Sequence, residues 1–222
     1  MTHRVLAVPA PGPNLMILHS AGTTPEQMAA LVGPVEGFNV IYPEAAKDLR
    51  WDHLGDADGS WLAGLGPCDF ICGYSSGAFM ASRMMRDVQY KGGMMVAGGL
   101  LKSYAGSWQR PCPVMLINGT ADTRVPFNGS TFVLGAQATT LTFLRATNAP
   151  ADAVRKKIPD TKAADGCHAY FDDWSGKVRL YTVVQGGHTW PGTKWRDPKG
   201  LLGNTCMDFS ATEAMRQFFA NR

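Results

Sequence analysis

No apolar stretch of this chain reaches the roughly 18 residues that a membrane span requires. The run GGMMVAGGLL (92–101) is too short and too rich in glycine. The N-terminal MTHRVLAVPAPGP has a basic residue but no apolar core of about 7–15 residues, so no signal peptide is read there. The expectation is therefore cytoplasmic, or secreted if a leader has been removed. Charge of one sign is scarce too. The formal net charge is +3, and the densest basic run, Arg155-Lys156-Lys157, reads as a solvated face. Neither a nucleic-acid nor a membrane partner is expected. Cysteine is sparse and odd in number: Cys68, Cys72, Cys112, Cys167 and Cys206. An odd count leaves at least one free thiol in a monomer. Cys68 and Cys72 flank a predicted strand about 13 Å long, too far apart for a disulfide, whereas Cys167 with Cys206 remains a possible bridge. No pair of Cys or His repeats a zinc-ligand spacing, so no metal is expected. His3, His53 and His168 read as surface or otherwise satisfied polar groups. Internal repeats, low-complexity tracts and interdomain linkers are also missing.

What is present is an ordinary globular composition, 222 residues with 45% hydrophobic and 18% charged, enough for one domain with a sizeable core. Short apolar runs alternate with amphipathic ones, which predicts an α/β fold with a mostly parallel sheet flanked by helices. Strands are predicted at 4–8, 14–19, 38–43, 69–74, 92–98 and 113–119. HAYFDDW and KVRLYTVV follow as a hairpin across Ser175-Gly176. Thr24, Pro25 and Gln27 predict a capped helix start. Further helices are predicted at 76–88 and about 130–146. The segment 44–68, rich in Asp and Gly, reads as irregular, with Trp61 packing a core edge. The C-terminal SATEAMRQFFANR is the clearest helix. Ser210 and Glu213 suggest a capping box, and Ala211, Ala214, Met215, Phe218 and Phe219 share one face.

Gly73-Tyr74-Ser75-Ser76-Gly77 matches G-x-S-x-G. Alone, that match would arise by chance in roughly one chain in ten of this length. Here a strand leads in and a helix leads out, which is the strand–turn–helix setting the motif needs. The glycines allow a sharp turn that lifts the Ser75 hydroxyl above the sheet and sets a helix N-terminus beneath it. Ser76 would contribute its backbone N–H to an oxyanion hole, its side chain being merely small. A serine hydroxyl needs a base. Downstream, VMLINGTADTRVP ends a strand and delivers Asp122, and LYTVVQGGHTWPG ends another and delivers His188. The order Ser, acid, His is that of the α/β-hydrolases, and both residues fall just past strand C-termini, where open α/β sheets build their sites. A second oxyanion donor is expected from the loop after an early strand, which MILHSAGTT fits, first the N–H of Ala21 and second that of Ser20.

Together LHSAGTT, GYSSGAFMA, NGTADTRVPFNG and GGHTWPG resemble the polyhydroxybutyrate depolymerase/feruloyl esterase group of α/β-hydrolases, over most of the chain from about residue 14. The resemblance implies an α/β-hydrolase fold and a serine esterase with Ser75, Asp122 and His188 as its triad. It also implies hydroxyalkanoate, feruloyl or acetyl esters as substrates, and no cofactor. Two departures stand out: His19-Ser20 where the family usually reads His-Gly, and a segment before the nucleophile strand that looks short for a helix. With no polymer-binding module or Thr-rich linker in this sequence, small or oligomeric esters are expected rather than insoluble polymer. Trp190 and Trp195, after the histidine, and Tyr74 inside the motif are candidates to wall the pocket, with the alternative that Trp190 packs the histidine loop. The same triad would serve an acyltransferase or a peptidase, and a binding protein could keep the scaffold. Oligomeric state is left open.

Overall fold

The computed structural model of the protein describes residues 3–106, 111–195, 197, 199–220 and 222. In chain order the elements are β1 (Val5–Val8), β2 (Asn14–Leu18), α1 (Pro25–Val32), β3 (Asn39–Pro43), α2 (Ala57–Gly64), β4 (Phe70–Tyr74), α3 (Ser76–Asp87), β5 (Gly92–Val96) and β6 (Val114–Gly119). Then come α4 (Ala136–Ala146), β7 (Val154–Lys157), β8 (His168–Trp174), β9 (Val178–Val184) and α5 (Ala211–Phe219). One nine-stranded sheet runs in the order β1-β3-β2-β4-β5-β6-β9-β8-β7. Its centre, from β3 to β9, is parallel. β1 is antiparallel at one edge, and β8 and β7 continue antiparallel at the other.

The central strands are apolar on both sides because both sides are covered. Leu15, Ile17, Phe70, Cys72, Met94 and Val96 face one core, closed by α1 and α5. Met16, Leu18, Ile71, Met95, Val114 and Leu116 face the other, closed by α2, α3 and α4. The chain leaves β2 for β3 on one side and then returns to place β4 on the other. The C-terminal ends of β2 and β4 therefore form a topological switch point, the crevice where such sheets place a site.

Several sequence expectations change. The segment read as irregular contains α2, so there is room for a helix before the nucleophile strand. It is eight residues long, and its N-cap Asp56 makes no side-chain capping bond. Trp61 on it stacks on the His3 ring at 4.0 Å, while the buried Asp58 accepts from His3 and from the Ala46 and Asp52 N–H groups. Helix α4 begins at Ala136 rather than near residue 130, because 129–134 folds as a turn in which Ser130 Oγ accepts from Phe132 and Val133. The basic run is solvated as read, but it also forms β7, an exposed edge strand whose Arg155 pairs with Asp172 of β8 at 2.7 Å. Lysines on such an edge discourage pairing with another chain. Thr24 and Gln27 form both halves of a capping box. Ser210 makes only its own half, since the Glu213 carboxylate turns to Arg216 and Gln217. Cys167 and Cys206 are not bridged: all five thiols are free. Among the described residues no helix is long and apolar enough to cross a membrane.

Candidate active site

The turn between β4 and α3 forces Ser75 to φ 54° and ψ −117°, a strained conformation for a residue with a Cβ. Its neighbours explain how the chain tolerates it. A Cβ on Gly73 would lie 2.1 Å from the Gly77 carbonyl oxygen, and one on Gly77 would lie 2.2 Å from that of Leu18. Gly73 thus lets the strand touch the first turn of α3, and Gly77 lets that turn touch the end of β2.

Two other strand ends complete the constellation. Past β6, Asp122 Oδ1 accepts from the N–H groups of Arg124 and Val125, both at 2.8 Å, which fixes the carboxylate. Its Oδ2 lies 2.8 Å from His188 Nδ1. Past β9, His188 is carried on a loop whose backbone N–H donates to Leu202. Its Nε2 lies 2.8 Å from Ser75 Oγ. A carboxylate can only accept, so Nδ1 carries the proton and the Nε2 lone pair faces the hydroxyl. Ser75, Asp122 and His188, distant in the chain, meet here; the last two are 6% and 5% exposed.

The loop after β2 is held from behind. His19 is buried; its Nε2 accepts from the Ala45 N–H at 3.0 Å, so Nδ1 carries the proton and donates to the Ser20 carbonyl at 2.8 Å. The Thr23 N–H and hydroxyl donate to that same carbonyl. In a trans peptide the N–H points opposite to the C=O, so the Ala21 N–H is directed away from this cluster. Ala21 and Ser20 line a cavity with Ser75. Neither the Ala21 nor the Ser76 N–H is taken up by a backbone acceptor among the described residues. Ser20 does not occupy the left-handed backbone region, so serine in place of glycine there brings no backbone strain.

The sequence did not signal what supports this loop. The Trp51 indole donates to the His19 carbonyl at 2.8 Å. His53 Nε2 lies 2.9 Å from the Ser76 carbonyl and 3.1 Å from its hydroxyl, so the Ser76 side chain is more than small: it is part of a latch on the first turn of α3. The carbonyl can only accept, so His53 Nε2 must carry its proton and cannot act as a base toward Ser76. Burial pushes both His19 and His53 below their ordinary pKa. The unfolded chain takes up these protons below about pH 6.5, while the folded chain resists until lower pH. Stability should therefore fall as the pH drops from 7 to 5. Denaturant midpoints at the two pH values measure the loss, and in His19→Gln it should shrink. An undiminished loss in that variant would assign it elsewhere.

The aromatic candidates separate. Trp190 is buried, donates to Thr212 Oγ1 at 3.1 Å and packs the histidine loop. The Tyr74 hydroxyl donates to the His188 carbonyl at 2.7 Å, and its ring stacks on the imidazole, so it holds that loop as well as bordering the cavity. Trp195, 48% exposed, is an open wall. It stands with Leu31 and Tyr74 between a cavity of about 410 Å³ that contains Ser75 and a neighbouring one of about 610 Å³ that does not. Asp165, Cys206 and Asp208 bring their carboxylate and thiol atoms within 4.8 Å of one another. Their carboxylates already accept the N–H groups of Cys167, Met207, Thr161 and Lys162. Asp165 and Asp208 thereby staple the segment 161–167 to the segment 206–208.

No protein-family model and no curated protein sequence matches the chain. Solved structures do. The acetyl xylan esterase from Aspergillus awamori superposes with a TM-score of 0.64 at 11% identity, over 99% of this chain and 94% of that one. Esterase PE8 gives 0.60 at 16% identity, over 100% and 99%. Zea mays acyl-protein thioesterase 2 gives 0.55 at 13% identity, over 99% and 98%. Identities this low speak of fold alone, and the fold they share with this chain from end to end is that of the α/β-hydrolases.

Proposed function

We propose that the protein is a serine carboxylic ester hydrolase that works through an acyl-Ser75 intermediate. The observation that carries this reading is the pair of 2.8 Å contacts linking Ser75 Oγ, His188 and Asp122. Ser75 Oγ attacks the ester carbonyl as His188 Nε2 takes its proton, and Asp122 stabilises the resulting imidazolium. The tetrahedral oxyanion accepts from the Ser76 and Ala21 N–H groups. Collapse breaks the ester C–O bond, and His188 returns the proton to the departing alcohol. Water, deprotonated by the same imidazole, then releases the acid.

Small or oligomeric esters of the hydroxyalkanoate, feruloyl or acetyl type are the proposed substrates. The family resemblance of the site motifs supports them, as does a cavity of about 410 Å³ with the apolar walls Met28, Leu31 and Leu202. The neighbours named as esterases and a thioesterase agree with acyl transfer to water. The test is labelling with a fluorophosphonate alongside hydrolysis of p-nitrophenyl acetate. One equivalent of label and measurable turnover are expected, and Ser75→Ala should lose both. Folded protein that takes no label would overturn the reading. Faster release of p-nitrophenol with added alcohol, at the expense of acetate formation, would make the enzyme an acyltransferase.

A further inference from the structure

Among the described residues, the cavity over Ser75 has a single formally charged side chain in its lining, Arg124. Its backbone is pinned, since its N–H donates to Asp122 Oδ1 two residues earlier. The side chain is exposed, and none of the ion pairs found among the described residues uses it; Arg50, Arg145 and Arg222 are likewise without one, but Arg124 is the one of the four that lines the cavity with Ser75. The carboxylates bordering the neighbouring cavity are engaged elsewhere. Asp197 accepts from the N–H groups of Lys199, Leu201 and Leu202, and Asp165 from those of Cys167 and Met207. Asp122 is turned to His188. Among the described residues, the rest of the cavity wall carries no formal charge, so no neighbouring carboxylate in that wall competes for the guanidinium.

We infer that Arg124 is a specificity-determining residue that selects esters bearing a free carboxylate. The inference rests on the esterase reading above and narrows its substrate class. A guanidinium fork recognises a carboxylate through two parallel N–H···O bonds. Held at the rim of the same cavity as Ser75, it engages the carboxylate of a substrate whose ester carbonyl faces the nucleophile. A hydroxy-acid oligomer or a dicarboxylic half-ester has that form.

Two matched pairs distinguish where the carboxylate sits. Mono-p-nitrophenyl adipate against its methyl ester places it on the acyl side. 4-Acetoxybenzoate against methyl 4-acetoxybenzoate places it on the alcohol side. The quantity read is the ratio of kcat/KM, acid over neutral, with spontaneous hydrolysis subtracted. In at least one pair the ratio should fall roughly tenfold in Arg124→Gln, the size of one solvent-accessible charge-assisted contact. It should be partly kept in Arg124→Lys, and Arg124→Glu should invert the preference. In the unaltered enzyme the ratio should also fall at 1 M salt, a readout that needs no variant to fold. Turnover of both members of each pair with ratios indifferent to salt and to residue 124 would overturn the assignment and leave the esterase reading standing. Failure of Ser75 to take label would remove both.

Discussion

Asp122→Asn is expected to lower kcat by roughly 10⁴, about 5 kcal/mol of transition-state stabilisation, with little change in melting temperature. The size of the loss follows from how the side chain is held. Two backbone N–H groups, of Arg124 and Val125, converge on Oδ1. An asparagine keeps both bonds only by placing its amide oxygen there. Its NH₂ then faces His188 Nδ1, which must become an acceptor, and the imidazole proton moves to Nε2. The lone pair that would receive the Ser75 proton is gone. The opposite amide orientation would restore the tautomer but set an NH₂ against two N–H donors. Higher pH should not rescue the variant, because the defect lies in the tautomer and not in an ionisation. Steady-state kinetics with p-nitrophenyl acetate, alongside a thermal melt, decide it. A loss under about tenfold in a folded variant would mean that another group orients the imidazole.

The residues that meet at this site were legible because each ends an apolar strand and is followed or preceded by a glycine turn. Ser75, Asp122 and His188 fall past β4, β6 and β9, and a parallel sheet sends all of those ends to one rim. What supports them was not legible, since it depends on contacts that sequence spacing does not encode. His19 is locked by the Ala45 N–H, 26 residues on, and His53 reaches the Ser76 carbonyl across 23 residues. A local reading sees His19 only as the end of a strand and His53 only as part of an irregular segment. The missed elements have equally physical reasons. Helix α2, with the sequence ADGSWLAG, has two glycines, no capping bond and no apolar period; it is held by Leu62 and Asp58 packing inward. Strand β7 is exposed along its whole length, so it has no alternation to detect. The capping-box pattern at Ser210 failed for a simpler reason: Arg216, one turn away, competes successfully for the Glu213 carboxylate.

Gly73→Ala and Gly77→Ala should each cost at least about 3 kcal/mol, the upper end for inserting one methyl into a packed site. For a chain of this size that amounts to a melting temperature lower by roughly 10 °C. In both cases the obstacle is backbone, which has no rotamer to yield. A methyl on Gly73 meets the Gly77 carbonyl carbon at 2.3 Å as well as its oxygen. A methyl on Gly77 meets the Leu18 and His19 carbonyl oxygens at 2.2 and 2.6 Å. The two variants should nonetheless differ in chemistry. Gly73→Ala pushes the first turn of α3 away from β4 and so displaces Ser75 itself. Gly77→Ala pushes against the end of β2 and so displaces the loop that presents Ala21. Where folded protein can be recovered, the first should react poorly with a fluorophosphonate. The second should still be labelled, but with a kcat lower by the roughly 10²–10³ that loss of one oxyanion donor brings. Gly64→Ala is the control: a Cβ there meets nothing within 4 Å, and alanine in the last turn of α2 should be neutral or stabilising by up to about 1 kcal/mol. If Gly73→Ala melted like Gly64→Ala and labelled at the parent rate, the close approach of β4 and α3 would not be what sustains the strained backbone at Ser75.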